Sequence, residues 1–198
     1  MRPREFDHDE VLRIAFDQFW RKGVRGTSLS DIARDAGIQR GSLYNAFGSK
    51  EALFLSAYER YAGDYLTAIE TALATGSLHA RLTAFFDLTI RNFSAGTPPR
   101  GCPTTRGLME LNFGEDDDGL DETARQAFAA LISRITQLLQ DALSQAAARG
   151  EFSGSAEAAA LQIATVTRGL AVLERAFGDA AQLRGIAAHT IDLILGRD

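Results

Sequence analysis

Val11, Leu12, Ala15, Phe16, Phe19 and Trp20 recur at i, i+1, i+4, i+5, the spacing of one buried face of an α-helix. Asp7 with Glu10 three positions on resembles a capping box with Asp in the serine position, and Gly23 ends the helix. In "TSLSDIARDAG", Thr27 or Ser28 can cap, Leu29, Ile32, Ala33 and Ala36 form one face, and Gly37 stops the helix after barely two turns. A third short helix runs from Gln39 to Phe47. At 100° per residue it sets Leu43, Ala46 and Phe47 on one side, and Arg40, Gly41, Tyr44 and Asn45 broadly on the other.

Longer periods follow. One helix continues from Ser49 through Leu53, Phe54, Ala57, Tyr58, Tyr61 and Tyr65 to about Ala74. A second begins after Ser77, with Leu78, Leu82, Phe85, Phe86, Ile90 and Phe93 inward, and "AGTPPRGCP" is a loop. "TTRGLMELNF" reads as a short helix and "GEDDDG" as a break. Long helices are expected from Asp121 to Arg149, Ser155 to Phe177 and Ala180 to Leu195, the last two joined only by "GD" and therefore antiparallel neighbours. The chain is expected to be all-α, with about nine helices. The final pair carries broad apolar stripes, Ile163, Val166, Leu170, Leu173 and Phe177 on one, Leu183, Ile186, Ile191 and Ile194 on the other. That is more apolar surface than one packing face needs.

Composition narrows the classes. Alanine and leucine dominate the apolar set, and a single cysteine, Cys102, excludes an internal disulfide and a cysteine-rich zinc site. The N-terminal "MRPREFDHDE" lacks the apolar core of a signal peptide, and no run approaches the ~18 to 20 apolar residues of a membrane span. A soluble cytoplasmic protein without membrane contact is expected. His8, His79 and His189 do not cluster with carboxylates, and no phosphate loop, nucleophile elbow or HExxH appears. No enzyme, metal or cofactor is expected. The run Glu115 to Asp118 lacks EF-hand spacing and reads as a solvated loop.

Net charge is −5, which at first argues against nucleic acid. The total conceals an asymmetry: residues 1–60 hold 10 Lys and Arg against 9 Asp and Glu, residues 61–198 hold 11 against 17. Binding to DNA would have to come from local placement of cations. The outer face of the third helix offers that. An arginine, a glycine, a tyrosine and an asparagine are odd choices for mere solubility. Gly41 costs a helix about 1 kcal/mol relative to alanine, but lets the backbone approach bases or phosphates closely. Arg40 can donate to guanine or phosphate, Asn45 can pair with adenine or phosphate, and the Tyr44 hydroxyl suits a phosphate oxygen. Lys50 stands at the start of the next helix beside its cap Ser49, where the helix end already favours an anion.

The stretch "TSLSDIARDAGIQRGSLYNAFGSKEALF" closely resembles the N-terminal domain of the tetracycline-repressor (TetR) family of transcriptional regulators. The resemblance is carried, ungapped, by Thr27, Ser28, Asp31, Ile32, Ala33, Ala36, Gly37, Gly41, Ser42, Leu43, Tyr44, Phe47, Ser49, Lys50, Glu51 and Leu53. It implies a three-helix helix-turn-helix DNA-binding head, residues 1–48, and a larger helical ligand-binding and dimerisation domain, residues 49–198. It also implies phosphate contacts from Thr27 or Ser28, Tyr44 and Lys50, with Arg40, Gly41 and Asn45 nearest the bases and Gln39 and Ser42 on the same DNA-facing segment. The chain departs from the family at Gln39, commonly Ser or Thr, and at Ala46, where His or Tyr often touches phosphate.

The resemblance further implies that the last two helices meet their twins in a four-helix homodimer interface, through the two stripes named above. An effector pocket is implied between those helices and the head. Its candidate lining is Phe85, Phe86, Phe93, Met109, Phe113 and Phe128, with Tyr61, Tyr65, His79 and Arg168 as polar options; plain core packing is the competing reading for each. An aromatic interior suits a small lipophilic effector. Cys102, near Arg100 and a helix start, is open to two readings, a redox or electrophile sensor and a small buried residue. The function expected is a ligand-responsive repressor released from a quasi-palindromic double-stranded operator. The rival is a helical interaction protein whose DNA-binding head no longer binds DNA.

Overall fold

The computed structural model describes residues 6–96, 99–111 and 120–196. Among these residues there are nine helices and no strand: α1 His8–Lys22, α2 Leu29–Asp35, α3 Arg40–Phe47, α4 Lys50–Ala74, α5 Leu78–Phe93, α6 Pro103–Glu110, α7 Leu120–Ala148, α8 Ala156–Phe177 and α9 Ala180–Leu195. The all-α reading holds, with ends within a few residues of those expected. Phe113 and the acidic run Glu115 to Asp118 lie outside the described residues.

Two compact units emerge. The first comprises residues 1–64 and 110–127, the second 65–109 and 128–198. The division between these units falls inside α4, between Asp64 and Tyr65. The reason is packing: the first half of α4 supplies Leu53, Phe54, Ala57 and Tyr58 to the core of the first unit. There Phe54 meets Phe19 of α1 edge-on at 5.4 Å, and Tyr61 stacks on Phe16 at 4.3 Å. Tyr61 therefore belongs to the packing of the head.

Local signals account for the short helices. The Asp7 side chain accepts from Asp9 N–H at 3.0 Å and Glu10 N–H at 3.2 Å, filling two of the donors a helix start leaves open. The capping box is not completed from the other side, because Glu10 pairs with Arg13 at 2.6 Å instead. Ser28 caps α2, accepting from Asp31 N–H at 3.1 Å and donating to the Asp31 carboxylate at 2.9 Å.

In the second unit α5 packs on α9 and α8. The α8–α9 hairpin turns at Gly178, left-handed at φ 64°, a conformation that a Cβ disfavours. Asp179 then caps α9 through the N–H groups of Ala181 and Gln182. Helix α8 corrects one expectation: an 18-residue window reaches a mean hydropathy of 1.2, so by length and composition it could cross a membrane. Here it lies against α5 and α9, with Ile163, Thr167 and Leu170 buried.

The residues of the two expected interface stripes divide between core and surface, and four of them are corrected to core positions. Ile163, Leu170, Leu183 and Ile191 are at most 1% exposed and form the core of the second unit. Val166, Leu173, Ile186 and Ile194 are half-buried. The exposed apolar side chains of this hairpin are Phe177, which was expected, and Leu161, Val172 and Leu193, which were not.

Candidate nucleic-acid interface

Helix α3 buries Leu43, 1% exposed, and leaves Gln39, Arg40, Gly41, Tyr44 and Asn45 exposed, with Ser42 half-buried. Tyr44 is 61% exposed, so it is no packing residue. Ala46, expected inward, is exposed, and Phe47 is only half-buried, its ring 5.6 Å from that of His8. A Cβ built on Gly41 meets nothing within 4 Å. No neighbour inside the protein demands a glycine there, which leaves approach from outside as the physical reason for it.

The start of α3 is distinctive too. Its N-cap, Gln39, makes no side-chain capping bond, whereas Asp7, Ser28, Ser77, Ser155 and Asp179 all cap their helices. Uncapped N–H groups at a positive helix end form an anion-binding surface. Ser49 does cap the next helix, accepting from Ala52 N–H at 3.1 Å, and Lys50, half-buried, opens that helix.

Cation pairing resolves the puzzle of the near-neutral head. Arg13, Arg21, Arg34 and Arg60 hold carboxylates at 2.6, 2.9, 2.8 and 3.4 Å, and Lys22 reaches Asp31 at 4.0 Å. Hydrogen bonds from Ser28 and Arg34 hold the Asp31 carboxyl below its ordinary range. Among the described residues Arg40 and Lys50 carry no carboxylate. Asp9, Glu10, Asp17, Asp31 and Asp35 are thus held by cations other than Arg40 and Lys50, and those two stay available for phosphates.

Thr27 stands apart from this surface. It is 3% exposed, and its hydroxyl donates to the Gly23 carbonyl at 2.7 Å and the Gln18 carbonyl at 3.3 Å. The side chain closes the α1–α2 turn and is not offered to a phosphate. Ser28, one residue on, is exposed at the cap of α2. Gln18 adds a second tie between the two helices, donating from Nε2 to Asp35.

Residues 11–57 match the N-terminal domain of bacterial regulatory proteins of the tetR family, and residues 60–190 match the tetracyclin repressor-like C-terminal domain. The chain belongs to the TetR family. Its function is that of the family, ligand-responsive, DNA-binding transcriptional regulation. Among its TetR relatives, the HTH-type transcriptional repressor ComR of Escherichia coli (strain K12) is 27% identical over 196 residues, covering 97% of this chain and 90% of ComR. A cysteine-substituted form of the TetR family regulator CifR, solved with a 26-base-pair operator DNA, superposes with a TM-score of 0.82 at 29% identity, covering 96% of this chain and 98% of that one. The reduced form of E. coli NemR, at 22% identity, shares the fold with a TM-score of 0.79 over 96% of this chain and 97% of its own.

The candidate effector residues are scattered. Tyr65, Phe85, Phe86, Phe93 and Phe128 are buried in the second unit. Met109 is 80% exposed, which removes it from any interior lining, and Tyr61 packs in the first unit as described. Cys102 is 5% exposed; its Sγ accepts from Thr105 N–H at 3.5 Å at the start of α6 and lies 3.5 Å from Arg168 Nη1. A recess of about 330 Å³ opens at the start of α5, lined by Gly76, Ser77, Leu78, His79, Glu151 and Leu195. Of the residues proposed, His79 borders it.

Proposed function

We propose that this TetR-family protein is a cytoplasmic homodimeric repressor that lays α3 of each protomer into successive major grooves of a quasi-palindromic operator, and that a small effector releases it. The observation that carries the reading is the exposed, uncapped start of α3 with the unpaired cations Arg40 and Lys50 beside it. Gly41 lets the helix approach base edges, Arg40 and Asn45 read or anchor them, and Tyr44, Ser28 and Lys50 hold phosphates.

A two-fold protein reads two half-sites, whose centres lie about 34 to 36 Å apart or at a multiple of that. The exposed faces of α8 and α9 supply a two-fold contact: Leu161, Thr165, Gly169 and Val172 form one stripe on α8, opposite Ile163, Thr167 and Leu170, and Gly185 and Leu193 lie outward on α9. A Cβ built on Gly169 or Gly185 meets nothing within 4 Å, so a second copy's helices can come close. An effector acts if it prefers the conformation in which the heads are wrongly spaced.

Selection of bound sequences from a random duplex pool tests the reading. An enriched inverted repeat is expected. Retention of no sequence at low ionic strength overturns it in favour of the rival, a head that has lost DNA.

A further inference from the structure

A guanidinium group removed from water needs acceptors for its five donors or a carboxylate against its charge. Arg168, on α8, is partly buried and has neither. Its Nη1 lies 3.5 Å from Cys102 Sγ and its Nη2 lies 3.5 Å from Thr167 Oγ1. Both contacts are at the outer limit of a hydrogen bond. Sulfur is a weak acceptor, and the Thr167 hydroxyl already donates to the Ala164 carbonyl at 2.8 Å. Arg168 Nε is buried without an acceptor. Among the described residues no carboxylate pairs with this arginine. Glu70 is held by Arg134, Asp87 by Arg184, and Glu151 by Arg149 and the Leu78 N–H, while Glu174 of α8 is buried with Oε2 unpartnered and makes no ion pair with Arg168.

The groups around Arg168 are chosen for hydrogen bonding. Tyr65 of α4 shares a 3.0 Å hydrogen bond with Thr89 of α5, and Asn92 bonds the same phenol, which lies within reach of the Arg168 charge. Burial pushes the Tyr65 phenol up to about 12, so it keeps its proton, and with it a donor, at physiological pH. Four separate segments, α4, α5, the start of α6 and α8, thus converge on one cation that no carboxylate among the described residues pairs. None of Tyr65, Thr89, Asn92 and Thr167 supplies a second one, which suits a singly charged anion better than a phosphate dianion.

We propose that the effector is an anion, a small carboxylate whose oxygens take the Nε and Nη donors of Arg168 beside the Tyr65 hydroxyl. This rests on the second unit being the effector domain. Arginine's planar fork matches a carboxylate in two parallel bonds, and binding would supply the acceptor that Nε lacks. It sharpens the expectation of a lipophilic effector, giving that molecule a charged end.

The test is calorimetric titration of the full chain with n-alkanoates from butanoate to dodecanoate and with n-alkanols of the same lengths. At least one alkanoate should bind about ten-fold or more tighter than its alkanol, and Arg168→Gln should abolish that preference. Arg168→Lys should restore part of it, since a point charge replaces the fork. Equal affinity for acid and alcohol, no binding by any alkanoate, or a preference unchanged in Arg168→Gln would each overturn the proposal. If Arg168→Gln fails to fold, Tyr65→Phe reads the same quantity: several-fold loss of the acid preference is expected, and an unchanged preference overturns the proposal. The two readings fail separately. A protein that selects an operator but binds acid and alcohol alike loses only the anion; one that binds alkanoates through Arg168 but retains no duplex loses only the regulator.

Discussion

Gly41 couples function and stability with opposite signs. A Cβ there meets no atom of the protein, so Gly41→Ala should stabilise the fold by about 0.5 to 1 kcal/mol in denaturant unfolding while weakening operator binding in titrations. Improved stability with unchanged affinity would show that the main chain does not approach DNA at this point. Arg40 and Lys50 are distinguished from Thr27 by the same kind of contrast. Lys50→Ala should lower affinity for every sequence and flatten the salt dependence by roughly one unit of slope. Thr27→Val removes a buried hydroxyl from the Gly23 carbonyl; about 1 kcal/mol of stability should be lost, with the salt slope unmoved. Tyr65 makes an alkaline prediction. Its folded pKa, about 12, lies above the ordinary 10.0, so the native state holds this proton more tightly than the unfolded chain does. The contribution is fully present below pH 10 and is lost as pH rises towards 12. Alkaline unfolding of Tyr65→Phe should lack that component, and a phenol titrating near 10 would contradict it.

Among the helices, α6 meets α7 at Gly107. A Cβ built on Gly107 falls 2.4 Å from the Phe128 ring, closer than packed atoms allow, so the glycine serves contact between elements. Gly107→Ala gains helix propensity but forces Phe128 off its site. The net effect should be a loss of about 1 to 3 kcal/mol in thermal or denaturant unfolding. Unchanged stability would mean that the ring swings away freely. The contrast with Gly41 is instructive: two glycines interrupt two eight-residue helices, one facing a phenyl ring and the other facing open space. Propensity alone assigns both the same cost.

The proposed homodimer requires α8 to have two usable faces. One is filled within the protomer by Ile163, Thr167 and Leu170. The other presents Leu161, at 53% exposure, and Val172, at 54%. Leu161→Glu with Val172→Glu should leave helicity intact but yield a monomer in analytical ultracentrifugation, with operator affinity reduced by about a hundred-fold or more because each half-site is then bound alone. A double variant that remains dimeric would move the interface to another surface.

Periods of 3.6, caps and breaks were enough to derive about nine helices and their order, because hydrogen bonds within a helix and its half-buried stripe are local in sequence. The outward set Arg40, Gly41, Tyr44 and Asn45 was legible for the same reason. Which cation is free was not: Arg34 and Arg40 look alike in sequence, and only the folded head pairs the first with Asp31 and leaves the second without a carboxylate among the described residues. Nor could apolar periodicity choose between the two faces of α8, since Ile163 and Leu161 have equal hydrophobic character, and α5 and α9 decide which is covered. Thr27 and Ser28 were interchangeable as candidates until the α1–α2 turn buried one and exposed the other. Local chemistry therefore determined the elements and the residues on offer. Burial and pairing, which depend on neighbours far along the chain, decided which of them remain available to bind.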